Sequence, residues 1–129
     1  MDPKRMRERL LRYGAPKTRP TGLALEDDAP STPGHEPPRV EIHVRTASVK
    51  ERGTIFKTAG VTPGSDAVDI GRLQAAATCL LACDSAGARL FVDEDLDALL
   101  EAPLDSVVGQ VGRMALEGLN VSPGDAEKN

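Results

Sequence analysis

Few side chains in this 129-residue chain can serve as nucleophile, base or metal ligand, and their spacing limits the chemistry open to them. The cysteines are Cys79 and Cys83; the histidines are His35 and His43. A thiolate nucleophile needs a base within hydrogen-bond reach, so one of the cysteines would have to meet His43. His35 falls in a proline-rich stretch, and His43 falls on the polar side of an alternating segment. The Cys-x3-Cys spacing does not suit a zinc knuckle, and a second ligand pair is missing. Both thiols are therefore expected to be small buried hydrophobes. Asp93, Glu94, Asp95 and Asp97 form the other cluster. They lack the calcium-loop pattern of an EF-hand, and the first turn of a helix, where carboxylates face the positive end of the dipole, explains them without a metal. No Walker loop or Gly-x-Gly-x-x-Gly fingerprint occurs, nor a zinc finger or RNA-recognition aromatic motif. With no nucleophile–base pair or metal set to assemble, the expectation is a non-enzyme with no metal and no cofactor.

The elements that would position these residues follow from apolar periodicity. Met6, Leu10 and Tyr13 recur at i, i+4 and i+7, which predicts a short helix over 3–13 with one narrow apolar stripe. Residues 14–38 hold six of the ten prolines and the acidic cluster Glu26, Asp27 and Asp28. They read as a disordered or extended linker, so the folded domain is expected to begin at residue 39 and run to 120, with a flexible tail over 121–129. Val40, Ile42 and Val44 alternate with Glu41, His43 and Arg45, which predicts a half-buried strand. Ser48-Val-Lys-Glu51 is a capping box, so a helix should start at Val49, with Val49, Ile55, Phe56 and Ala59 on its inner side and Gly60 at its left-handed end.

Residues 61–68 read as a loop. The apolar stretch 69–83 is open to two readings: its alanines favour helix, and its two apolar runs around Asp84-Ser-Ala-Gly87 favour a hairpin. The favoured reading is a helical turn near Ile70, then strands near 76–83 and 88–92. Asp93 is expected to cap a helix whose buried side is Leu96, Leu99 and Leu100. Pro103 should stop that helix and open the last one. In the last helix Leu104, Val107, Val108, Val111, Met114, Ala115 and Leu119 form a long stripe, with Gly118 in a Schellman ending. The expected fold class is α+β: a small antiparallel sheet or hairpin packed with three to four short helices after a disordered N-terminal leader.

Charge is uneven. Net charge is −4, but residues 1–20 carry seven Lys/Arg against Asp2 and Glu8, so the remaining 109 residues carry nine basic against eighteen acidic groups. A basic arm on an acidic body suggests an interaction tail more than a nucleic-acid-binding domain. The three aromatics, Tyr13, Phe56 and Phe91, do not make a base-stacking platform. No apolar run is long enough to span a membrane, and a secretory signal is not expected from the basic first 20 residues.

The stretch from Cys83 to Leu100 resembles a signature of the small tail assembly chaperones of long-tailed phages: Asp84 and Gly87 in a turn, then Leu90-Phe91, then Asp93-Glu94-Asp95 at a helix start, then Leu96 and Leu99. Pro103 and the terminal Leu119-Asn120 are similar to the break and the second helix end of that family. Upstream, Val44 to Phe56, with Ser48, Glu51 and Arg52, resembles the family's strand and capping-box helix. The resemblance covers about residues 40–125. It implies a non-catalytic protein of the host cytoplasm that binds and solubilises the tape measure protein, helps recruit tail tube protein, and is absent from the finished virion. Homo-oligomerisation would suit a chaperone that coats a filamentous client. The apolar stripe of the last helix makes Leu100, Leu104, Val107, Val111 and Met114 the candidate contact residues, or else the domain's own core. The rival readings are a structural virion connector or tail completion protein, and a small regulatory protein whose basic arm meets nucleic acid.

Overall fold

A computed structural model of the chain describes residues 1–13, 17–26, 34, 39–61 and 68–119. The fold class is α+β. In chain order the elements are α1 (Pro3–Arg12), β1 (Thr18–Glu26), β2 (Arg39–Arg45), α2 (Val49–Thr58), α3 (Ile70–Leu81), β3 (Ala82–Cys83), a 3-10 turn (Asp93–Asp95), α4 (Leu96–Leu100) and α5 (Val107–Gly118). The strands form an antiparallel sheet in the order β1-β2-β3.

The first correction to the sequence reading is β1. Residues 18–26 are not linker but an edge strand paired along β2, from Thr18 opposite Arg45 to Glu26 opposite Arg39, so the folded unit does not begin at residue 39. Pro20 and Gly22 disguise the strand. Pro20 lies on an edge, where a missing N–H costs least, and Gly22 sits in a bulge between Pro20 and Ala24 at φ 81°. The bulge is closed by Thr21, whose hydroxyl donates to the Ile42 carbonyl (2.7 Å) and accepts from the Leu23 amide (3.2 Å). From α5, Gln110 Nε2 donates to the Thr21 carbonyl at 3.3 Å. The backbone groups that the bulge frees thus find partners, as buried polar groups must.

The second correction is the stretch 70–83. The expected strand over 76–83 is helix as far as Leu81, capped by Asp69, whose carboxylate accepts from the Arg72 amide. Only Ala82 and Cys83 pair with β2, and Cys83 meets Arg89 in a single bridge. The small residues decide the matter. Ala75, Ala76 and Ala77 are buried on α3, and a Cβ added at Gly112 of α5 would lie 2.9 Å from Gln74 Cβ and 3.0 Å from Thr78 Oγ1. Alanine and glycine let the two helix backbones approach closely, and that contact outweighs the hairpin alternative.

The core lies where α3, α5 and α2 cover one face of the sheet. Val44, Ile55, Leu73, Leu81, Val111, Leu116 and Leu119 are almost wholly buried there. Three basic contacts finish the α5 end and the α2 start. Arg19 Nη2 donates to the Met114 carbonyl (3.1 Å) and Arg52 Nε to the Leu119 carbonyl (3.3 Å), where cations offset the negative helix end. Arg45 forms a two-armed ion pair with Glu51.

Smaller corrections concern helix ends. Val49 is exposed, not on the inner side of α2; Ile55 and Ala59 are buried as expected. Asp93 does not cap α4. Its carboxylate pairs with Arg89, and Asp95 accepts from the Val92 amide instead. Pro103 does not open α5, which starts at Val107 behind Ser106, so Leu104 lies outside the helix. Leu100 faces outward. Gly118 ends α5 without the left-handed conformation a Schellman ending needs. The tail expected over 121–129 lies outside the described residues, as do 62–67 of the expected loop.

Candidate docking site

Exposure along β2 rises steadily from the core outward. On its core face Val44 is 1% exposed, Ile42 7% and Val40 45%. Helix α5 begins at Val107 and does not reach the far end of the strand pair. The uncovered end forms an apolar groove of about 560 Å³, walled by Leu23, Leu25, Val40 and Ile42 of the sheet, Leu90 and Phe91 of the segment after β3, and Val107, with Glu26 at its edge. Leu25, Val40 and Leu90 are all more than a third exposed. Such a concave apolar surface is suited to receiving large apolar side chains.

The turn that holds one wall is built as the sequence suggests. Asp84 accepts from the amides of Ala86 and Ala88, both at 2.9 Å, and Gly87 takes φ 90°. This reversal carries the chain from β3 to Leu90 and Phe91. Phe91 is half-buried against the core on one side and lines the groove on the other. The Ser48–Glu51 capping box is present in both directions, at 3.0 and 3.1 Å. The hydrogen bonds from Arg45, helped by the Ser48 amide and hydroxyl, lower the Glu51 pKa to about 2.

The expected contact residues do not form one surface. Val111 is fully buried in the core, and Met114 is half-buried against it. Leu100 and Leu104 are exposed and border a shallow cavity of about 160 Å³ beside the start of α3. Only Val107 reaches the groove. Six apolar groove residues, Leu23, Leu25, Val40, Ile42, Leu90 and Phe91, lie outside the expected contact set. The alternation of Leu23 and Leu25, matching that of Val40 and Ile42 in a paired strand, is the signal in the sequence that points to the four on the sheet.

Two clusters come nearest to chemistry. His43 stands directly opposite Cys83 in the strand pairing, yet Cys83 is fully buried, and the His43 Nδ1 atom has no hydrogen-bond partner. Burial pushes the Cys83 thiol up, away from the thiolate a nucleophile requires. Cys79 lies beside Arg89, which donates to the Cys79 carbonyl at 3.0 Å and pairs with Asp93 at 2.7 Å. Burial raises the Cys79 thiol too, against the lowering effect of Arg89, and the thiol donates to the Val92 carbonyl. Both cysteines are packed in the core, where burial works against the thiolate form. Among the described residues no set of three His, Cys, Asp or Glu side chains is placed to hold a metal ion, and no helix is long and apolar enough to cross a membrane. Comparison of the chain with models of known protein families, with curated protein sequences and with solved structures finds no match in any of the three.

Proposed function

We propose that the chain is a non-catalytic assembly chaperone of phage tails that binds amphipathic segments of the tape measure protein and keeps them soluble. The observation that carries this reading is the groove beyond the end of α5, an accessible apolar concavity on a small fold. The support is physical. An amphipathic helix lays its apolar side into such a groove, and the acidic body makes coated client molecules repel one another. The resemblance over Cys83–Leu100 supplies the identity of the client and the expected second partner, the tail tube protein. Val107 and Phe91 belong to the docking wall; Leu100 and Leu104 form a separate ridge.

Co-expression with the matching tape measure protein tests the reading. The client should stay in the soluble fraction with the wild-type chain and precipitate with Leu25→Lys/Val40→Lys, which fills the groove with charge. A client equally soluble alone overturns it, as does finding the chain in purified particles by mass spectrometry, which is the outcome a virion connector requires.

A further inference from the structure

Among the described residues a second apolar surface has no partner. Helix α1 buries none of its residues, and Met6, Leu10 and Tyr13 all stand open to solvent along one side. Asp2 caps the helix through the Arg5 amide at 2.8 Å, so it is a formed helix with a naked stripe about 10 Å long. An isolated helix of ten residues is marginal in water, and a docking partner would stabilise it. Its flanks carry Lys4, Arg5, Arg7, Arg9 and Arg12 against Asp2 and Glu8.

The groove at the end of the sheet has walls as apolar as that stripe, and it lies on a body of opposite net charge to α1. It is apolar within, with Glu26 at its edge opposite Arg39, on a body in which acidic residues outnumber basic ones two to one beyond residue 20. Among the described residues both surfaces stand open at once: α1 is wholly exposed while Leu25, Val40 and Leu90 are more than a third exposed. We propose that α1 of one copy docks in the groove of a second copy, with Met6, Leu10 and Tyr13 against Leu25, Val40 and Leu90 and its basic flanks drawn to the acidic body of that copy. The contact is heterologous, since each copy offers a helix to one neighbour and a groove to another, so it links copies head to tail. It uses the groove but not the identity of any client, and it is measured on the purified chain alone, so its failure and that of the chaperone reading are separable.

Sedimentation velocity with the full chain tests it, from about 5 to about 300 µM, because a single-helix contact lies at the small, weak end of interfaces. The wild-type mass should rise with concentration, and less so in high salt. Met6→Glu/Leu10→Glu changes exposed helix positions and should keep the wild-type circular dichroism spectrum and unfolding midpoint while staying monomeric. Leu25→Lys/Val40→Lys sets two like charges opposite each other in the strand pair and should keep the wild-type spectrum with a lower midpoint, also staying monomeric. Mixed together, these two variants retain one intact helix and one intact groove and should form a species that stops at two chains. A wild-type chain monomeric throughout, as docking of α1 onto its own body or reserving it for lipid or nucleic acid would require, overturns the proposal. So does a variant that associates as well as wild type, or a mixture that stays monomeric.

Discussion

Helices α1 and α5 look alike as sequences: ten and twelve residues, each with an apolar stripe at helical spacing. In the fold they are opposites. Helix α5 buries Val108, Val111, Gly112, Ala115 and Leu116, whereas α1 buries nothing. The difference lies in what each meets. The alanines of α3 and Gly112 of α5 allow backbones to approach within side-chain contact, and dispersion and apolar burial follow from that closeness. No comparable seat faces α1 among the described residues. An apolar stripe therefore announces that a helix needs a partner; it does not announce which, or whether the partner belongs to the same molecule.

Removing atoms from the two stripes should make the contrast plain. Leu116→Ala leaves a cavity under α5 and should cost about 2–5 kcal/mol, a loss seen as a large fall in the thermal midpoint. If Leu116→Ala unfolds at the wild-type temperature, α5 is not the core helix. Gly112→Leu overfills the α3–α5 contact and should cost about 1–3 kcal/mol, read in the same way. Thr21→Val strips the bulge of the hydroxyl that donates to Ile42 and accepts from Leu23. Leaving those groups unpaired should cost about 1–3 kcal/mol and loosen β1, visible as faster amide exchange at Leu23. Ser48→Ala removes one side of the capping box and should cost about 1 kcal/mol by chemical denaturation. At the small end, Leu10→Ala on α1 should shift stability by no more than about 0.5 kcal/mol.

The Arg45–Glu51 pair adds a pH test to the α2 end of the comparison. The Glu51 pKa is lowered from the ordinary 4.5 to about 2. A carboxyl depressed in the folded state stabilises it fully above pH 4.5, and that stability is lost as the pH falls toward 2. Glu51→Gln should flatten this acid limb of the unfolding profile without changing its slope near neutrality. An unchanged acid limb in the variant would show that the pair contributes nothing there.

Several local features are legible in the sequence. The Ser48–Glu51 box, the Asp84–Gly87 turn, the left-handed Gly60 and the apolar face of β2 each depend on residues within a few positions of one another, and local chemistry suffices to specify them. Residues 18–26 read as linker because Pro20 and Gly22 are disordering in isolation and acceptable only on an edge strand with a bulge. The full helix over 70–81 is not legible, because a run of small apolar residues fits either element until Gly112, more than thirty positions on, makes the helical choice compact. The groove is hidden for the same reason, since Leu23 and Leu25 belong to it only once β1 has paired with β2.

By itself the chain's sequence determined the Ser48–Glu51 capping box, the Asp84–Gly87 turn and the amphipathic stripes, along with the division between a basic arm and an acidic body, because these depend on neighbours in the sequence. Tertiary structure alone decided that the stripe of α5 became core, that the stripe of α1 stayed bare, and that the sheet outran its covering helices to leave a groove. Those outcomes are differences in contact between distant segments, set by which backbones can approach closely enough to exclude water.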